Sequence, residues 1–222
     1  MASRDIEKKR RKEKHKLKRD KPHLVPSSTI LIVCEGRNTE PSYFKQLKVS
    51  SVTIEAIGEG YNTLSLVERT IELARNAAYD EVWCVFDKDD FDPHDFNHAL
   101  QIAESNKIRA VYSNQAFEFW IILHFNDHQG GALHRDDYNK LLHDELQKYN
   151  VCYDGKGSKL INPDLFALMF AKDPKIGKFR NELAIERAKR IYDRLEHLSP
   201  ATEESSTTVF VLMEHLKSFS RY

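Results

Sequence analysis

The chain has 222 residues, 41% of them hydrophobic and 31% charged, enough apolar material for one sizeable domain and too much for wholesale disorder. Its 34 basic and 34 acidic side chains cancel, yet residues 1–21 hold eleven Lys or Arg against four acids, a net of +7 that leaves −7 for the remainder. No apolar run reaches the ~18–20 residues that cross a bilayer, and the first residues lack the apolar stretch of a secretory signal.

Residues 1–28 read as a basic arm without fixed structure, which either neutralises nucleic-acid phosphates or stays solvated. Thr29-Ile-Leu-Ile-Val-Cys34 is a continuous apolar, β-branched run stopped by Glu35-Gly36. It reads as a strand buried on both faces, as in a parallel sheet covered by helices. Asn38 or Thr39 caps a helix carrying through about Lys48, with Tyr43 and Phe44 packing it on the core. A second strand fits Val52–Ile57. Leu64, Val67, Ile71, Ala74 and Ala78 recur at helical steps after an Asn62 or Thr63 cap. Glu81–Phe86 is a third strand, ending in Asp87-Lys-Asp-Asp90. Asp92-Pro93 opens a helix lined by Phe96, Ala99, Leu100 and Ala103. Ile108–Tyr112 is a fourth strand.

Alternating strands and helices predict an α/β domain over 29–125 with a mostly parallel sheet of about four strands. Residues 126–222 are expected to form a helical extension packed on it. Tyr138, Leu141, Leu142 and Tyr149 mark one helix, and Ala184, Ala188, Ile191 and Leu195 another. Val209, Leu212, Met213, Leu216 and Phe219 mark the last, capped from Ser205-Ser-Thr-Thr208. Three cysteines, Cys34, Cys84 and Cys152, argue against a disulfide framework and for a reducing cytoplasm.

Ligands of open parallel sheets gather beyond the carboxyl ends of the strands. Glu35, the Asp87/Asp89/Asp90 cluster and Glu118 all fall at such ends. Asp87 and Asp89, two apart in extended chain, point to one side ~6.5 Å apart along it. Glu35 can face the same point if its strand adjoins the third, since neighbouring strands lie ~4.8 Å apart. Three carboxylates at one edge repel unless a cation sits among them, and hard oxygen ligands select Mg2+ or Mn2+. The alternative is an acidic turn that caps the next helix. Glu118, embedded among Phe117, Phe119, Trp120 and Ile121, is a metal ligand, a proton carrier or the partner of a buried base. His124 and His128 have the i, i+4 spacing of a metal pair without the metalloprotease Glu, which favours packing. Arg37, Lys88, Lys156 and Lys159 are candidate phosphate contacts, with Lys175, Lys178 and Arg180 further along the helical region.

The blocks Ile30-Leu-Ile-Val-Cys-Glu-Gly-Arg-Asn-Thr-Glu-Pro-Ser-Tyr-Phe44, Val85-Phe-Asp-Lys-Asp-Asp90 and Ser113-Asn-Gln-Ala-Phe-Glu-Phe-Trp-Ile-Ile-Leu-His-Phe125 resemble the RloB family of restriction and anti-phage loci. The likeness continues through Ala184–Lys189 and Ser205–Val209. That resemblance implies a variant of the Toprim fold, in which a strand-end Glu is general acid/base and a strand-end Asp-x-Asp holds Mg2+. By resemblance Glu35 takes the first role, Asp87 and Asp89 the second, and Glu118 and His124 join the catalytic candidates. The implied activity is metal-dependent cleavage of RNA or DNA in defence, beside an ATPase partner. The other classes left open are a non-cleaving nucleic-acid-binding or adaptor protein and an enzyme or sensor acting on nucleotides.

Overall fold

The computed structural model describes residues 28–49, 51–89, 92–129, 131–197 and 199–219. Residues 1–27 of the 1–28 basic arm, and Asp90 of the acidic cluster, lie outside them, while Ser28 opens the first strand. Four strands form one sheet: β1 (Ser28–Cys34), β2 (Val52–Gly58), β3 (Glu81–Lys88) and β4 (Arg109–Asn114). The order is β2-β1-β3-β4 and every pair is parallel. Between them run α1 (Thr39–Phe44), α2 (Thr63–Asn76) and α3 (Pro93–Ser105). After β4 come α4 (Glu118–Leu123), α5 (Arg135–Leu146), α6 (Pro163–Phe170), α7 (Arg180–Tyr192) and α8 (Val209–Ser218). This all-parallel sheet flanked by helices is consistent with the Toprim-like arrangement that the resemblance implies.

Side-chain alternation along the strands divides the core between the two faces. Leu31, Val33, Cys84 and Phe86 meet Leu66 and Val67 of α2 and Phe96, Ala99 and Ala103 of α3. Ile30, Ile32, Cys34, Trp83 and Val85 turn to the other face, where α1, α4 and the later helices pack. Residues 30–34 are 0% exposed, as the apolar run requires of a strand covered twice. The helices after residue 126 complete that second face: Leu142, Leu165, Ala184, Ala188, Leu212 and Leu216 belong to the same apolar cluster as β1. Among the described residues no helix is long and apolar enough to cross a membrane.

Several elements end elsewhere than periodicity predicts. Helix α1 stops at Phe44, not near Lys48, because its last turn tightens: Gln46 N–H bonds Tyr43 O and Leu47 N–H bonds Phe44 O. The Gln46 side chain meanwhile donates to the Ser42 and Ile161 carbonyls. Strands β3 and β4 run two residues further because they pair to their ends, Asp87 opposite Ser113 and Lys88 opposite Asn114. Helix α6 was not anticipated, although Asn162 accepts from Leu165 N–H and Pro163 occupies the first turn, the same signal that Asp92-Pro93 carries.

The Ser205–Thr208 run supplies the N-cap of α8 at Thr208, with Thr207 Oγ1 accepting the Val209 N–H at 3.3 Å. It covers the open edge of β4. Thr208 N–H donates to Tyr112 O at 2.8 Å and Asn114 N–H to Ser206 O at 2.8 Å, while Tyr112 N–H donates to Thr208 Oγ1. An edge strand covered this way over Tyr112–Asn114 offers less free backbone to another chain. Buried Glu203 anchors the strap, accepting from Tyr112 Oη at 2.6 Å and Ser206 Oγ at 3.3 Å. Glu203→Ala would leave the Tyr112 hydroxyl buried and unpaired, which costs about 2 kcal/mol. The expected result is a urea midpoint clearly below wild type; an unchanged midpoint would show that the strap adds nothing.

Candidate functional site

The sheet order brings β1 beside β3, so their carboxyl ends share one rim. Glu35 continues the pairing, its N–H donating to Val85 O at 2.9 Å. Its carboxylate then turns across the rim, where Oε2 accepts the Asp87 N–H at 3.1 Å. Glu35 and Asp87 therefore adjoin, joined through the Asp87 backbone amide. Asp89 follows on the same rim, its carboxylate 3.8 Å from the Arg135 guanidinium of α5.

Glu40 is the acid that motif reading missed. It is 3% exposed in the first turn of α1, and its Oε1 accepts the Gly36 N–H at 3.1 Å. Glycine at residue 36 makes room for this contact, because a Cβ there would run into Glu40 Oε2 and require the carboxylate to shift. A five-residue return from Glu35 to Glu40 around a glycine was visible in the first block, but Glu40 there reads only as an N-terminal helix acid. Gly36→Ala should displace the Glu40 carboxylate and lower Mn2+ affinity roughly tenfold with the fold intact, as titration calorimetry would read. Undiminished affinity would exclude Glu40 from the ion's surroundings.

Glu118 opens α4 and is 8% exposed. Its Oε1 accepts a 2.7 Å hydrogen bond from Tyr153 Oη, which also lies 3.3 Å from Thr39 Oγ1. Gln115 stands just before it in left-handed backbone, φ 64, with its N–H on Lys88 O and a buried Oε1 without partner among the described residues.

The acids raise one another. Burial, then the Asp89 and Glu40 charges, push Glu35 up to about 7 against the pull of the Asp87 N–H and Arg135. Burial and Glu118 push Glu40 up to about 7, against backbone N–H groups and Lys159. Asp87 is held well above the usual carboxylate range by burial and then by Glu40, Glu35 and Glu118. Such buried, mutually repelling oxygen donors, with the orphaned Gln115 carbonyl beside them, have the chemistry that a hard divalent cation requires. Among the described residues no group of three or more His, Cys, Asp or Glu side chains forms a preassembled metal cage.

The remaining candidates scatter. Arg37 is exposed at the rim, its stem along Gly60. Lys88 is 9% exposed and donates to the Asp89 carbonyl. Lys159 is exposed with its charge felt by Glu40, and Lys156 is exposed on the 155–158 turn. His124 lies in the apolar core at 0% exposure, its Nδ1 2.9 Å from Trp120 O and its ring held down to about 3 by burial. Arg180 is not a surface phosphate contact: it is 2% exposed, stacks 4.7 Å over Tyr149 and faces Asp173 at 3.5 Å. Asp92 does cap α3, accepting the His94 N–H. Arg135 and Tyr153 carried no sequence signal.

A family model described as RloB-like protein matches residues 30–216. No curated protein and no solved structure matches the chain.

Proposed function

Because the chain belongs to the RloB-like family over residues 30–216, we propose that it is a Mg2+- or Mn2+-dependent nuclease cleaving RNA or DNA phosphodiesters in defence against phage. One observation carries this reading: at the carboxyl rim of adjacent parallel strands Glu35 Oε2 accepts the Asp87 N–H, while buried Glu40 folds back onto Gly36 beside it. Asp87, Asp89 and Glu35 would hold the ion, with Glu40 and Glu118 behind them. When bound, such an ion offsets charge developing on phosphoryl oxygens.

The chain's own groups have separate tasks in this scheme. Glu35 is assigned proton transfer, its Oε2 aimed by the Asp87 N–H. Arg37 and Lys159 position phosphate, and Arg135 limits the repulsion at Asp89. Tyr153 orients Glu118. The basic arm adds sequence-independent affinity that falls with salt, and an ATPase encoded nearby would restrain or trigger cleavage.

The test is total RNA and plasmid DNA incubated with the full chain in Mg2+, Mn2+ or EDTA. Fragmentation of one polymer in metal and none in EDTA is expected. Intact polymers under every condition would overturn the reading and leave a binding or adaptor role.

A further inference from the structure

Tyr61, 46% exposed, stands on the link between β2 and α2, at the same end of the sheet as the acids. That link is anchored at both ends. Glu59 N–H donates to Cys34 O at 3.1 Å and Gly60 N–H to Glu35 O at 2.8 Å. Asn62 Oδ1 then accepts from Ser65 N–H at 3.1 Å to start α2. The ring is thus carried by backbone bonded directly to Glu35 itself.

A guanidinium shares this link. The Arg37 side chain runs along Gly60, where a Cβ would meet its Nε at 2.4 Å. Gly60, at φ 72, supplies the left-handed turn that admits this approach. Arg69 of α2 reaches back to Glu59 at 3.6 Å and pairs with Glu72 at 3.0 Å. An aromatic face in water on the same link that carries the Arg37 guanidinium suits an unstacked nucleobase and its phosphate. A duplex hides its base faces and would leave such a ring idle.

We infer that the substrate is single-stranded, with a base next to the scissile phosphate stacked on Tyr61 while Arg37 holds an adjoining phosphate. The inference rests on the nuclease reading and narrows its substrate. Single-stranded RNA and single-stranded DNA share this chemistry, so both serve as probes.

The experiment uses the full chain carrying Glu35→Gln and measures fluorescence anisotropy of a labelled oligonucleotide as RNA, as DNA and annealed to its complement, at physiological ionic strength. Adding Tyr61→Ala should weaken single-strand binding about tenfold and duplex binding less than twofold, with Tyr61→Trp restoring affinity. An exposed ring can be removed without unfolding, which circular dichroism verifies. Unmoved single-strand affinity, or equal loss on duplex, would overturn the platform even where wild-type cleavage is robust. Conversely, Tyr61-dependent single-strand binding by a chain that cleaves nothing would sink the nuclease reading and keep the platform.

Discussion

Glu35→Gln and Asp87→Asn should each lower metal-dependent cleavage by about a thousandfold while leaving the metal-free protein as stable as wild type or more so. Both substitutions keep shape. A glutamine Oε1 can still accept the Asp87 N–H that Glu35 Oε2 accepts at 3.1 Å, so the rim geometry survives. What disappears is a negative charge already disfavoured by burial and by its neighbours. Activity and stability therefore move in opposite directions, the signature of a site whose strain serves function. Initial rates on the sensitive polymer and thermal melts at pH 8 check the two halves. Retained cleavage would remove these acids from the chemistry, and a lower melting temperature would mean that their charges stabilise the fold.

The metal-free protein should lose stability as pH rises from about 5 to 8, and Mn2+ should restore it. Glu35 and Glu40 titrate at about 7 when folded and at 4.5 as free side chains. Between those values the native state binds more protons than the unfolded chain, so stability falls with rising pH and the penalty is complete above 7. At about 1.4 kcal/mol per pKa unit, buried Glu40 loses about 3 kcal/mol and Glu35, partly open to solvent, loses less, for a combined loss on the order of 5 kcal/mol. That corresponds to a melting temperature lower by roughly 10–20 °C. An ion bound only by the native state reverses the loss at pH 8 by mass action. Glu40→Gln should flatten the pH dependence. A melting temperature constant from pH 5 to 8, or indifferent to Mn2+ at pH 8, would contradict a buried carboxylate cluster that binds the ion.

The acidic rim is partly legible in the residue order. Glu35, Asp87 and Glu118 stand out because each follows or ends an apolar run, and apolar runs with turn residues behind them mark strand ends. Glu40 did not stand out, since an acid in a first helical turn is ordinary; only the fold reveals that its carboxylate bends back to Gly36. Tyr153 and Arg135 were invisible for a related reason. Tyr153 meets Thr39 across 114 positions of sequence and Glu118 across 35, and nothing local announces such a partner. Arg180 misled in the opposite sense: a basic residue near lysines reads as surface, whereas Tyr149, Phe125 and Asp173 enclose it. Ser205–Thr208 has the composition of a helix cap and supplies one, yet nothing local announces that its amides and hydroxyls also bond the edge of β4.

Residue order alone was sufficient for the four buried strands, the helices between them and the acids placed at strand ends, because each depends on periodicity and punctuation within a window of about ten residues. Which strands adjoin, which carboxylates share a rim, which base faces them and which hydroxyls seal the sheet edge were settled only when the chain closed on itself. Pairing and burial join residues up to a hundred or more positions apart, and the energy of a buried charge is set by what surrounds it in space, not by its neighbours along the chain.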